Sequence, residues 1–206
     1  MVQILLKRLS LERWDKMNQT RCHWCSDDSL YRTYHDVEWG VPIYDDRLLF
    51  EFLILEGMQA GLSWITILKK RDAFRKAFSN FDAEKIALYD QCKINLLLTN
   101  ADIVRNKLKI HAAVTNANAF LDIKKEWKSF SDFIWHFIGG SPIKNHWKNK
   151  HEVPARTDIS DKMSNELKKR GFKFVGSTIC YAFMQAVGMV NDHTQDCFRY
   201  RELNQQ

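Results

Sequence analysis

Three prolines and eight glycines punctuate 206 residues, and this scarcity constrains the fold more than any other feature. Both residue types supply the turns of short-stranded β architectures. A chain so poor in them predicts long regular elements, helices above all, and hence an all-α architecture. Hydrophobic residues at 45% and charged residues at 27% exclude extended disorder. No apolar run approaches the roughly 18 residues of a membrane-spanning helix. The chain is long enough to bury a core without disulfide staples.

Asp45 and Asp46 are placed to cap a helix over about residues 47–57. Its apolar residues, Leu48, Leu49, Phe50, Phe52, Leu53, Ile54 and Leu55, circle the axis, which predicts a central, buried helix. Further helices are expected around 63–70, 72–79, 83–90, 93–100, 105–125, 130–137, 158–169 and 177–188, with Asp72 and Asp82 as caps. Residues 139–156, basic and holding two of the three prolines, read as a loop. Residues 21–39 are dense in Cys, His and aromatics, with few periodic apolar positions. They read as an irregular segment with room for one helical turn.

Residues 1–20 are expected to be a charged N-terminal extension, with Met17 as an alternative start, and 201–206 a tail. Lys7 and Arg8 split the apolar patch at the N-terminus and no small-residue cleavage site follows, so the expected compartment is the reducing cytoplasm. Five cysteines there point to metal or free thiols before disulfides. Thirty-one Lys and Arg against 25 Asp and Glu give +6, which suits a phosphate-bearing partner and equally a solubility surplus. Aromatics reach 13%, including 7 Trp, whose N–H groups need partners wherever they are buried.

Three groups of residues carry chemistry. Cys22 and His35, near one end, and His193 and Cys197, near the other, are the ligand types of a closed tetrahedral zinc site. His193 and Cys197 stand at i and i+4, one face of a helix, while the first pair has no diagnostic spacing. Without a metal, the histidines are surface groups and Cys197 a small buried hydrophobe. Cys22-x2-Cys25 is a rival pairing, as a zinc half-site or a redox motif, although no βαβ pattern surrounds it. Cys92 and Cys180 read as inert core thiols.

Glu56 ends the apolar run Leu53-Ile54-Leu55. Either the helix reaches solvent there or a functional carboxylate sits at a pocket, because burying an unanswered charge is expensive. Trp64 follows Gly57 and Gly61, small residues that let a flat ligand or a backbone come close; it is either a stacking surface or a core residue. The third group, Leu167 to Thr178, joins two helices through a hairpin bounded by Gly171 and Gly176. Lys168, Lys169, Arg170 and Lys173 surround free N–H groups at the start of the following helix. That combination suits a DNA phosphate, and otherwise makes a solvated basic face.

Together these segments resemble the 3-methyladenine DNA glycosylase I family, alkylation-repair enzymes of the helix-hairpin-helix superfamily. The matching stretches are Arg21-Cys22, Tyr34-His35-Asp36, Glu38 to Pro42, Leu55-Glu56-Gly57, Gln59 to Ile65, Leu68 to Arg71, Leu167 to Gly176, Thr178 to Tyr181 and Val190 to His193. They span about residues 21–200, so the resemblance implies one glycosylase domain over that range. It also implies one structural zinc held by Cys22, His35, His193 and Cys197, clasping 21–39 to 190–200 and leaving Cys25 a bystander. The implied base pocket is Tyr34, Trp39 and Trp64, with Trp24, around Glu56 as the catalytic carboxylate. Leu62 is implied to wedge into the base stack, and Lys168, Arg170, Gly171, Lys173 and Gly176 to hold DNA.

The implied activity is hydrolysis of the N-glycosidic bond of 3-methyladenine in double-stranded DNA, by a monomer, without strand cleavage. Where many helix-hairpin-helix glycosylases place a catalytic aspartate, this chain has Asn191. Asp192 is expected to point elsewhere, which leaves the general base open. Two other readings remain: a non-catalytic zinc-containing DNA-binding module, and a thiol-redox protein using Cys22 and Cys25.

Overall fold

The computed structural model describes residues 19–205; the expectations for the extension before residue 19 lie outside them. Asp28 opens the first helix, α1 (Ser29–Val37), its carboxylate accepting from the Leu30 and Tyr31 N–H groups. Asp45 likewise opens α2 (Asp46–Gln59). There follow α3 (Trp64–Ala77), a 3-10 turn (Ser79–Phe81), α4 (Ala83–Ala87), α5 (Gln91–Thr99), α6 (Lys107–Glu126) and α7 (Phe130–Trp135), continued by a second 3-10 turn. The hairpin pair is α8 (Asp158–Lys169) and α9 (Ser177–Ala186), and α10 (Phe198–Asn204) ends the described chain. Two short strands, β1 (Ile143–Lys144) and β2 (Val190–Asn191), form a parallel bridge. The protein is mostly helical, as expected, with this bridge as its strand content among the described residues.

The central helix is α2: every residue from Leu49 to Met58 is buried, and α3, α6, α7 and α9 pack around it. Four details depart from expectation. Helix α3 runs unbroken through the predicted break, and Asp72 caps nothing. Arg71 at that point is buried and ion-paired to Glu51 at 2.6 Å and Glu38 at 2.5 Å, which holds the helix in place. Residues 29–37 form a nine-residue helix where an irregular segment was expected, because the face it buries is Tyr34 and His35 rather than aliphatic. Cys92 is exposed, on the face of α5 opposite the buried Ile94 and Leu97. The expected tail is helical to Asn204, with Leu203 buried.

Both helices of the hairpin pair end alike. After α8, the Phe172 N–H bonds Leu167 O and the Gly171 N–H bonds Lys168 O, with Gly171 at φ +91°. After α9, Met189 bonds Met184 O and Gly188 bonds Gln185 O, with Gly188 at φ +70°. These are Schellman ends, which need a left-handed residue at this position. Gly188 is also where the N-terminal segment crosses: a Cβ there would lie 2.3 Å from the Val41 carbonyl carbon. Gly188→Ala therefore combines backbone strain with a clash against backbone and should lower unfolding stability by on the order of 3 kcal/mol. Chemical denaturation measures it; Gly171→Ala, with open space around its Cβ, should cost less.

Candidate active site

Two carboxylates interrupt the buried part of α2, and their surroundings differ. Glu51 is answered by Arg71 at 2.6 Å and Arg75 at 2.8 Å. Glu56, 4% exposed, has no hydrogen bond or ion pair with any described residue. Burial alone pushes its carboxyl up to about 8. A group left so expensively unanswered marks a site prepared for a ligand.

Glu56 lines a cavity of about 200 Å³ whose walls include Trp24, Tyr34, Trp39, Trp64 and Asp192. The expected aromatic residues all meet here. Trp24 packs edge-on against Trp39 at 4.9 Å and near Tyr34 at 6.2 Å, and Tyr34 lies 5.5 Å from Trp64, between ring centroids. Tyr34 is wholly buried; desolvation raises its pKa, and the Glu56 charge raises it further. The Trp64 Nε1–H is buried without a partner among the described residues, a second polar group at the cavity left unsatisfied.

Tyr31 and Asp192 are among the residues of this wall that were not anticipated. Tyr31 lies one helical turn before Tyr34, its ring 5.1 Å from Trp24; its i, i+3 spacing was the available signal. Asp192, expected to point elsewhere, is buried in the cavity wall. One oxygen accepts from Asn145 at 2.6 Å and Trp147 at 2.8 Å, the other from the Tyr181 hydroxyl and Gln185, both at 2.7 Å. Successive side chains of an extended segment point to opposite sides: Asn191, itself buried, bonds Asn204, and the next residue faces α9.

Behind Trp39 lies the second cluster. The ligand atoms of Cys22, His35, His193 and Cys197, all buried, lie within 4.8 Å of one another. Sulfur-to-nitrogen separations are 3.3 Å for Cys22–His193 and 3.4 Å for both Cys197–His35 and Cys197–His193. A tetrahedral site with metal–sulfur and metal–nitrogen bonds of ordinary length has such edges at about 3.5 Å. Each imidazole is also oriented from outside. His35 Nδ1 lies 2.8 Å from the Asp36 carboxylate, itself held by Arg21, and His193 Nε2 lies 3.1 Å from Trp39 O. These contacts turn the other nitrogen of each ring inward, the arrangement that tunes a metal-binding histidine. The cluster could hold a metal ion. Cys25 stands outside it, and burial pushes its thiol up to about 11.

The remaining expected residues lie on two projections near the cavity. Leu62 is 40% exposed on a turn where Gly61 takes φ +78°, and Gln59 Nε2 donates to Leu62 O at 2.9 Å. The hairpin reaches α2 at Gly57, where a Cβ would come within 3.2 Å of Phe174. Lys168 and Lys173 are exposed. The Arg170 guanidinium instead sits against Glu126 at 2.7 Å and Glu166 at 2.9 Å, so its charge is spent within the protein.

The protein is mostly helical, and its aromatic-walled, carboxylate-lined cavity beside a basic hairpin could enclose a flat ring. The chain belongs to the methyladenine glycosylase family, which it matches over residues 24–200. It is 49% identical over 178 residues to a DNA-3-methyladenine glycosylase of Haemophilus influenzae, covering 86% of this chain and 96% of that one. A crystal structure of a 3-methyladenine DNA glycosylase I superposes with a TM-score of 0.85 at 50% identity, covering 87% of this chain and 98% of that chain. A variant of a 3-methyladenine DNA glycosylase I, solved in complex with 3-methyladenine, superposes with a TM-score of 0.84 at 36% identity, covering 86% and 96% respectively.

A carboxyl raised by burial destabilises the fold as pH climbs. Between its unfolded value near 4.5 and its folded value of about 8, the native state binds more protons than the unfolded chain, so stability falls with rising pH. Glu56→Gln removes this dependence. Its stability advantage over the parent should be small below pH 4.5, widen up to about pH 8, then level off, reaching on the order of 5 kcal/mol at most. Denaturation across that range tests it, and an advantage independent of pH would place the carboxylate in water.

Proposed function

We propose that this protein is a monofunctional DNA glycosylase that hydrolyses the N-glycosidic bond of 3-methyladenine in double-stranded DNA, releasing the free base and leaving an abasic site. The observation that carries this reading is Glu56, buried without a partner among the described residues in a cavity walled by Trp24, Tyr34, Trp39 and Trp64. The complex of a relative with 3-methyladenine supports it.

Methylation at N3 leaves the adenine ring cationic while it is bonded to deoxyribose. Electron-rich indole and phenol faces favour a cation over neutral adenine by roughly 0.5–2 kcal/mol per contact. Glu56 accepts hydrogen bonds from the extruded base, and its charge favours the cation again. Flipping costs a few kcal/mol, least for a base whose pairing is already weakened. With so good a leaving group, the enzyme mainly holds the base and stabilises positive charge at the sugar. As the bond breaks, its electron pair passes to the ring and neutralises it. Water bonds to the sugar carbon and its proton leaves to solvent. This reading uses no lysine nucleophile and hence no strand scission.

The helix-hairpin-helix reading assigns α8, the Gly171–Gly176 hairpin and α9 to the DNA backbone. Lys168, Lys173 and the N–H groups after Gly176 meet phosphate, Gly171 shapes the turn, and Arg170 braces it from within. Leu62 enters the stack. One structural zinc suits the Cys2His2 cluster, since four protein ligands leave no open position. It would join 21–39 to 190–200 and make residues 21–200 one working domain. We read the protein as a monomer of the reducing cytoplasm; its five cysteines are free, and no helix among the described residues is long and apolar enough to cross a membrane. A non-catalytic DNA-binding module accounts for the hairpin but gives no use for a desolvated, unpaired Glu56.

Incubation with methylated duplex DNA should release 3-methyladenine, read by chromatography of the freed bases; an intact, metal-loaded sample that releases none rejects the proposal. If the carboxylate form of Glu56 is the working one, kcat/KM should climb with pH to about 8 and then flatten. Glu56→Gln should lose both most of the rate and that limb. Elemental analysis should find about one zinc per chain, and Cys197→Ser should lower both zinc content and Tm.

A further inference from the structure

Helix α6 carries two buried polar side chains that serve neither the cavity nor the Cys2His2 cluster. Lys109, 7% exposed, reaches across to the end of α2, where its ammonium donates to Met58 O at 2.8 Å and Ala60 O at 2.6 Å. Those carbonyls immediately precede the Gly61–Leu62 turn. Asn116, 3% exposed, bonds both main-chain groups of Lys173: its Nδ2 donates to Lys173 O at 3.0 Å, and its Oδ1 accepts from the Lys173 N–H at 2.7 Å. Lys173 lies in the hairpin.

Seven residues separate Lys109 from Asn116 in the sequence, two turns of helix, so they share one face about 10.5 Å apart. One long helix thus grips the Leu62 turn with one side chain and the hairpin with another. A buried lysine loses hydration and rotamer freedom; surface capping of a helix end would not need its burial. Resting on the reading of the hairpin and Leu62 as DNA-engaging elements, we propose that Lys109 and Asn116 are positioning residues that set the distance between them. Base extrusion requires both at once: the hairpin fixes the backbone while Leu62 fills the stack. A misplacement of about 1 Å between such elements is worth as much as a hundredfold in rate.

The test separates extrusion from base binding. Lys109→Met keeps the volume and removes the ammonium, and Asn116→Ala releases the hairpin. For either variant, excision from methylated duplex DNA should fall roughly ten- to a hundredfold. Affinity for free 3-methyladenine, read by tryptophan fluorescence, should stay within about twofold, since the cavity is untouched. The excision deficit should shrink when the lesion faces a mismatch, where extrusion is easier. Lys109→Arg, which retains a donor for the two carbonyls, should recover much of the rate and guards against a variant that fails to fold. Folded Lys109→Met and Asn116→Ala proteins with parental excision overturn the proposal. So does a parallel loss of free-base affinity, which would mean that the cavity itself has collapsed. Absence of excision by the parent protein would instead remove the glycosylase reading beneath it.

Discussion

A carboxylate enclosed without a counterion among the described residues is the constraint around which this molecule is arranged. Five residues earlier on the same helix, Glu51 shows the ordinary solution, with two arginines at hydrogen-bonding distance. Glu56 receives none, and its burial is maintained by packing alone: α3, α6, α7 and α9 enclose α2, and the aromatic side chains beside Glu56 supply polarisable surface but no formal charge. An anion in such surroundings discriminates strongly in favour of a cationic partner, because solvent offers it little competition.

The walls of that enclosure come from segments far apart in the chain. Trp24, Tyr34 and Trp39 arrive from the N-terminal side, Trp64 from the start of α3, and Asp192 from the segment following α9. The Cys2His2 cluster ties the first of these to the last, and His193, one of its members, touches the edge of Trp39 at 4.5 Å between centroids. Geometry at the cluster is therefore coupled by direct packing to geometry at the cavity. Asp192 adds a second brace, holding the 145–147 segment and α9 through four hydrogen bonds.

Much of this was legible from residues alone. The caps at Asp45 and Asp82 operate as read, the all-round apolarity of 47–57 made α2 a buried helix, and the glycines at 171 and 176 bound a hairpin. Where the reading failed, the missing information was long-range. Asp72 looked like a cap because local sequence cannot show that Arg71 is clamped by Glu51 and Glu38. Helix α1 was hidden because the face it buries consists of Tyr34 and His35, which carry no aliphatic periodicity. Asp192 was misjudged because the direction of a side chain after a two-residue strand depends on which residue the strand pairs.

By itself, the sequence determined the helical class, the central position of residues 47–57 and the chemical identity of the groups available: indoles, phenols, soft metal ligands and an acid, Glu56, at the end of an apolar run. These follow from periodicity and residue type, which are local properties. Tertiary structure alone decided that Glu56 lacks a partner while Glu51 has two, that Asp192 faces inward, that Arg170 is neutralised within the protein, and that a single face of α6 holds both projections. Each of these depends on distances between atoms remote in the chain, and pairing of charge is a matter of those distances.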